Sequence, residues 1–346
     1  MSPHTKSLIS LSLMLGTTIT ISSNHWMTAW VGLELNTLAI LPMISKSHHP
    51  RAIEATIKYF LVQATASALL LFSAMTNAWT SGEWDITQMT NPPSCLILTT
   101  AIAMKLGLAP VHFWYPEVLQ GTSLTTALLL STLMKLPPLT LLFMTSNILN
   151  PTLLTSLAIS STAIGGWMGL NQTQTRKILA FSSISHLGWM TMIILYQPKL
   201  TMLAFYLYIM MTSAIFLTLN TTKTMALSSM MTSWTKTPIL NTTLMLTLLS
   251  LAGLPPMTGF LPKWLILQEL TKQELTPAAT TIAMLSLLSL FFYLRLVYHS
   301  AITIPPNTST HTKQWYTNTP TNPLIAFLSS TSIMLLPLAP MILAST

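Results

Sequence analysis

The chain reads as a succession of apolar runs separated by short polar joints. A helix rises 1.5 Å per residue, so roughly 20 apolar residues cover the hydrocarbon core, and about eleven runs reach that length. Their limits are 4–21, 25–45, 52–78, 94–116, 122–145, 150–170, 176–196, 199–222, 240–271, 276–299 and 322–344. No stretch alternates polar and apolar residues with the period of a strand, which disfavours a spanning barrel and leaves a helical bundle. The run 240–271 is too long for one straight span and is predicted to be broken or tilted. The N-terminal run follows a cation, as in a weak signal peptide, but lacks the small-residue cleavage pattern and reads as the first span. The two longest joints, 79–93 and 300–321, are rich in Thr, Pro and Asn and are expected to be structured loops, with no soluble domain.

Composition strengthens this reading. Hydrophobic residues make up 51% of the 346 positions and charged residues only 6%, with a mean hydropathy of +0.59. The sequence is rich in Thr, Leu and Met and poor in Gly. A net charge of +8 would suggest nucleic acid in a soluble protein; here the cations lie at span ends and act as topology determinants, so no nucleic-acid partner is expected. Taking the joints alternately on two sides, Lys6, Lys46, Arg51, Lys58, Arg176, Lys177, Lys223, Lys236, Arg295 and Lys313 fall with the N-terminus. Only Lys199 and Lys272 fall opposite, accompanied by Glu83, Asp85, Glu269 and Glu274, so the N-terminal side is expected to face the compartment of synthesis. Trp26, Trp79, Trp84, Trp234 and Trp315 near span ends read as an interfacial aromatic belt. The single cysteine, Cys95, can neither close an internal disulfide nor hold an iron–sulfur cluster, and no other residues show metal-ligand spacing.

The ionisable residues left near the middle of spans are Glu34, Lys105, Lys135 and Lys263, with His186 and, beside a helix breaker, His112. A charge at that depth costs roughly 2.5 to 3.5 kcal/mol on insertion scales, so it has a partner, a wet cavity or a function. The plainer reading of each is a side chain that satisfies a carbonyl, glues two helices or snorkels to the surface. Glu34 is too short to snorkel far, and none of the three lysines has a carboxylate at helical spacing in its own span. Low dielectric disfavours the charged form of either group and a nearby opposite charge restores it, so a Glu/Lys pair that forms and separates can take up and release a proton. Histidines suit relay positions, although a lone one is as readily a hydrogen-bonded core residue. Glu54 and Lys58 have the favourable i, i+4 order and are equally well a surface pair.

Helix breakers accompany these groups. Pro110 follows Lys105 in GLAP, Pro255 and Pro256 precede Lys263 in GLPPMTGFLPKW, and Pro137 and Pro138 follow Lys135 and predict a kink. Interrupted helices in corresponding places of two halves point to an ion site. GLAP lies on the fourth span, GLPP on the fourth span counted from residue 150. Each half then has five spans, an odd number, so the second must enter the membrane from the opposite side. The expected fold class is an all-α polytopic membrane protein of about eleven transmembrane helices. These form two inverted five-helix repeats, 1–148 and 149–300, with two broken helices and a loop and C-terminal helix over 301–346.

The segments EATIKYFLVQATASALLL, AMKLGLAPVHFWYPEV, RKILAFSSISHLGWM and LSLAGLPPMTGFLPKW resemble the antiporter-like membrane subunits of respiratory complex I, and the resemblance covers essentially the whole chain. It implies a multi-pass, proton-translocating subunit of NADH:ubiquinone reductase in the mitochondrial inner membrane, with the N-terminus on the matrix side and the C-terminus on the intermembrane-space side. It also implies no redox centre or cofactor on this chain, with NADH, FMN, iron–sulfur clusters and ubiquinone handled elsewhere. The implied partners are other membrane-arm subunits, among them neighbouring antiporter-like ones, and lipids. Carried over, the family's proton-transfer residues fall on Glu34, Lys105, Lys135 and Lys263, its helix-three lysine on Lys58, and its SSIxH histidine on His186, with His112 a further relay candidate. Lys135 is then expected to link the halves and Lys263 to lie on the exit side. The chain starts directly at the span before Glu34 and lacks the long lateral helix of the largest relative. An autonomous cation/proton antiporter and a purely structural membrane subunit remain the alternatives.

Overall fold

The computed structural model describes residues 3–47, 49–234, 237–301 and 322–338; Lys236, Lys313, Trp315 and most of the 300–321 joint lie outside them. The chain divides into two compact units, 1–161 and 162–346. The first holds α1 (Pro3–Ser22), α2 (Trp26–Ile44), α3 (Pro50–Ser81), α4 (Pro92–Leu106), α5 (Trp114–Gly121), α6 (Leu124–Ser131), α7 (Leu136–Met144) and the start of α8 (Pro151–Gly169). The second holds α9 (Thr175–Ile193), α10 (Pro198–Thr222), α11 (Leu227–Ser233), α12 (Pro238–Ala252), α13 (Phe260–Lys272), α14 (Thr276–Ala301) and α15 (Pro323–Met334). With α4–α5, α6–α7 and α12–α13 each taken as one interrupted span, and the short α11 set aside, the helices fall on the eleven apolar runs, the last of which is described only as far as residue 338. Among the described residues five segments are long and apolar enough to cross a membrane on length and composition alone: Trp26–Ile44, Pro50–Ser81, Leu124–Met144, Pro198–Thr222 and Thr276–Ala301. The run 240–271 is broken, as its length requires.

Helix starts follow simple chemistry. Proline occupies the first turn of α3, α4, α10, α12 and α15, where its missing N–H is not needed. His25 and His49 cap α2 and α3, each Nδ1 accepting from the backbone N–H two residues on, at 3.1 Å and 3.2 Å. Helices α1 and α2 approach closely because Gly16 and Gly32 face each other: a Cβ on either would stand 2.9 Å from the other's carbonyl oxygen.

The joint after α3 is an ordered loop. The Asn77 side chain accepts from the backbone N–H of Thr90 (3.2 Å) and donates to the carbonyl of Gln88 (3.4 Å), while Ile86 donates its N–H to Asn24 (3.0 Å). This loop corrects the aromatic-belt expectation at one position. Trp79 is 91% exposed, but Trp26 is only 1% exposed, its backbone N–H bonded to the Trp84 carbonyl and its neighbour His25 stacked on the Trp84 ring.

The two breaks share one construction. Helix α4 ends at Gly107 (φ +76°) and α12 at Gly253 (φ +78°), both in the left-handed region that glycine enters without a Cβ penalty. In each, the glycine N–H returns to the carbonyl three residues back (Met104, 3.2 Å; Ser250, 3.0 Å). The next N–H returns to the carbonyl five back (Ala103, 2.9 Å; Leu249, 3.5 Å), which is a Schellman ending. A cis peptide precedes Pro110 in one break and Pro256 in the other. In the second unit Gly259 lies directly on the Ser250 carbonyl oxygen, where a Cβ has no room, and Thr258 donates its hydroxyl to the Ser332 carbonyl on α15.

Close approach and backbone handedness therefore separate two glycine substitutions. Gly82→Ala keeps a φ of +78° with nothing within 4 Å of the new methyl, and should cost about 1–2 kcal/mol. Gly259→Ala must push α12 and α13 apart and should cost at least about 3 kcal/mol. A thermal unfolding series in detergent should show the larger loss of Tm for Gly259→Ala, and equal losses would contradict the packing described for the second break.

Candidate functional site

In the first unit Lys105 occupies the last turn of α4 and is 5% exposed. Its Nζ meets no hydrogen-bond acceptor among the described residues. It lines a cavity of about 20 Å³ together with Lys135, Asn36, Thr37, Gln63 and Tyr115, a volume on the order of one water. Lys135 closes a short 3₁₀ turn, Leu133–Lys135, between α6 and α7. Pro137 and Pro138 have no N–H to offer the Leu133 and Met134 carbonyls, so the helix tightens and Leu133 accepts from Leu136 instead. The interruption thus lies at the lysine rather than at the prolines. The Lys135 amine stands 4.5 Å from the centroid of the Tyr115 ring, in cation–π range.

Glu34, on α2, is half-buried and accepts a hydrogen bond from the Thr37 hydroxyl at 3.1 Å. No salt bridge joins it to Lys105; the ion pairs seen among the described residues include Lys58–Glu54, Lys58–Glu117 and Lys272–Glu269. Lys58 is thus not an isolated cation. Its ammonium is shared between Glu54 and Glu117, both at 2.5 Å, and its side chain is 40% exposed. His112 is buried in the first break, its Nδ1 3.3 Å from the Pro110 carbonyl and its ring against Phe113. It is not among the residues lining the Lys105–Lys135 cavity.

In the second unit Lys263 lies on the first turn of α13 and reaches back across the break. Its amine donates to the Ala252 carbonyl at 2.7 Å, and its chain crosses so close over Gly253 that a Cβ there would stand 2.9 Å from Lys263 Cδ. The Trp189 ring centroid is 6.0 Å from the amine. His186, its ring 5.6 Å from that of Tyr208, lines a second cavity of about 20 Å³ with Lys263, Trp189 and Tyr208.

Each break leaves carbonyls at the end of its first helix without a helical donor, and each receives a side chain. In the first unit the Trp114 indole donates to Met104 (3.2 Å) and Gln63 to Lys105 (3.4 Å). In the second the Lys263 amine itself does so. The structure therefore brings together Lys105 with Lys135 and His186 with Lys263. It sets Lys58 in a separate exposed cluster and His112 beside, not in, the first cavity. Sequence reasoning missed Tyr115, Trp189, Gln63, Trp114 and Glu117; the aromatic run HFWYP beside a break was the available signal for two of them.

Residues 23–289 match the family described as NADH:quinone oxidoreductase/Mrp antiporter, TM, and residues 290–343 match NADH dehydrogenase subunit 2 C-terminus. NADH-ubiquinone oxidoreductase chain 2 of Struthio camelus is 72% identical over 345 residues, covering 100% of both chains. A chain of respiratory complex I from Thermus thermophilus with bound aureothin superposes with a TM-score of 0.82 at 24% identity, over 95% of this chain and 79% of that one. A chain of the Mrp complex from Dietzia sp. has the same fold, with a TM-score of 0.82 at 15% identity, over 97% of this chain and 75% of that one. With more than half its length matched and a full-length relative at 72% identity, the chain belongs to the NADH:quinone oxidoreductase/Mrp antiporter membrane family, in its NADH-ubiquinone oxidoreductase chain 2 branch.

Proposed function

We propose that this chain is a proton-translocating subunit of the membrane arm of respiratory complex I in the mitochondrial inner membrane, with its N-terminus on the matrix side. The observation that carries the reading is Lys105: a deeply buried amine beside a broken helix, with no acceptor among the described residues, sharing a water-sized polar cavity with a second buried lysine. A structural lysine in lipid would be expected to pair or to snorkel. On this reading Lys105 loses its proton to water in the cavity and regains it, under the influence of the Glu34 carboxylate on α2, to which it is not bonded.

In this mechanism Glu34 sets the proton affinity of Lys105 by approaching and withdrawing, and Lys135 exchanges protons with Lys105 through the intervening cavity. Tyr115 offers its ring face to the charged form of Lys135. In the second unit Lys263 exchanges through the cavity it shares with His186, and the Ala252 carbonyl holds its ammonium form. No electron passes through these residues; NADH oxidation and quinone reduction belong to other subunits, together with FMN, the iron–sulfur clusters and the bound quinone. The charge distribution of the span ends supports the matrix assignment of the N-terminus.

Lys105→Met preserves length and apolar volume while removing the titratable amine. It should leave the assembled complex at normal abundance on native gels but lower coupled NADH–quinone turnover and proton pumping about tenfold or more. Near wild-type pumping would reject the role. A purified single chain that exchanged cations for protons in liposomes would instead favour the autonomous antiporter.

The exposed cluster should behave differently. Glu117→Gln leaves Lys58 with Glu54 in an i, i+4 pair, so coupled turnover should fall by less than about twofold. A loss as large as that of Lys105→Met, measured in the same vesicles, would move Lys58 into the proton path.

A further inference from the structure

A cavity of about 540 Å³, lined by none of the central lysines, opens between the turn joining α9 to α10 and the later part of α13. Its apolar wall includes Leu200, Leu203 and Leu265, which belong to one packed leucine cluster. Lys199, Glu269 and Lys272 line it as well. The Glu269 carboxylate is buried and already engaged, accepting from Lys272 Nζ at 3.3 Å and from Gln273 Nε2 at 3.5 Å. The three charges sum to one net positive.

The position of those cations is informative. The alternation of spans assigns two cations to the side opposite the N-terminus, Lys199 and Lys272, and the fold brings both to this one cavity. Topology does not call for cations on that side. A leucine wall beside a lysine pair, at the ends of membrane helices, matches an amphiphile with an acyl chain and an anionic head. A single water or a free anion would leave the leucines facing an unfilled space of this size.

We propose that this cavity binds one anionic phospholipid, its phosphate held by Lys199 and Lys272 and one acyl chain laid along Leu200, Leu203 and Leu265. Glu269 holds Lys272 in place through their pair and, by its own charge, keeps the site from accumulating a second anion.

The test uses the intact complex in liposomes containing a photoreactive acyl chain on either phosphatidylglycerol or phosphatidylcholine, with labelled peptides quantified by mass spectrometry. Phosphatidylglycerol should label segments 196–203 and 261–272 at least about tenfold more than phosphatidylcholine. Lys199→Gln, which leaves the Lys272–Glu269 pair intact, should lower that labelling about fivefold, and Lys199→Arg should restore it. Equal labelling by the two lipids would mean that the cavity takes acyl chains without reading the head, which overturns the site. Absence of label, with a side chain of another subunit filling the cavity in a cryo-electron microscopy map of the same complex, would overturn it too. Proton pumping by Lys199→Gln should match wild type, so the lipid site and the proton path fail independently.

Discussion

An amine in a low-dielectric interior needs polar company, and an unbroken helix has none to give because its carbonyls are already bonded to its own N–H groups. The structure depends on this constraint more than on any single contact. Each of the three mid-span lysines, two buried and Lys263 half-buried, stands beside a place where the helical ladder is interrupted: Lys105 before the Gly107 ending, Lys135 within a 3₁₀ turn, Lys263 after the Gly253 ending. The interruption frees carbonyls and opens a cavity of the size of a water, while the surrounding helices keep lipid out. Remove the interruption and the lysine becomes a charge without solvation.

The two breaks have one backbone and two chemical uses. Both use a left-handed glycine and the same pair of return hydrogen bonds, so the end of the first helix is fixed without help from the lysine. What differs is the group that caps the remaining carbonyls. Trp114 and Gln63 do this in the first unit, leaving the Lys105 amine uncommitted. In the second the Lys263 amine is itself the cap. The two breaks therefore share a backbone and differ in whether the lysine amine is committed to a carbonyl.

What the sequence made legible follows from the range of the interactions. Span limits, the broken run 240–271 and the two glycine–proline breaks depend on residues close in sequence, and among the described residues the helices and breaks lie within a few residues of where the pattern put them. The family and the identity of the buried cations were equally readable. Long-range pairings were not. Glu117 meets Lys58 across 59 positions, and no periodicity within one helix signals that. Trp26 looked interfacial because it begins a span, yet the loop after α3 folds over it, an event encoded in Asn77 and Ile86. The interruption near Pro137 appears before the prolines because the cost of a missing N–H falls on carbonyls four residues earlier.

The same distinction of range explains a compositional oddity, the abundance of threonine and serine in apolar helices. A hydroxyl on a helix can bend back to the carbonyl three or four residues before it. Thr17 to Met14 (2.8 Å), Ser73 to Leu70 (2.7 Å), Thr212 to Tyr208 (2.7 Å) and Thr247 to Leu244 (2.9 Å) all do so. Such a residue solves its polarity locally and asks nothing of the fold, so its number is free to vary with the bias of the sequence. A lysine cannot do this. Its amine stands several bonds from its own backbone and carries a charge that one shared carbonyl offsets only in part. It therefore demands a partner, a ring face or a cavity from elsewhere in the chain, and the helix breaks, the aromatic side chains beside them and the distant Glu34 are how this chain supplies them.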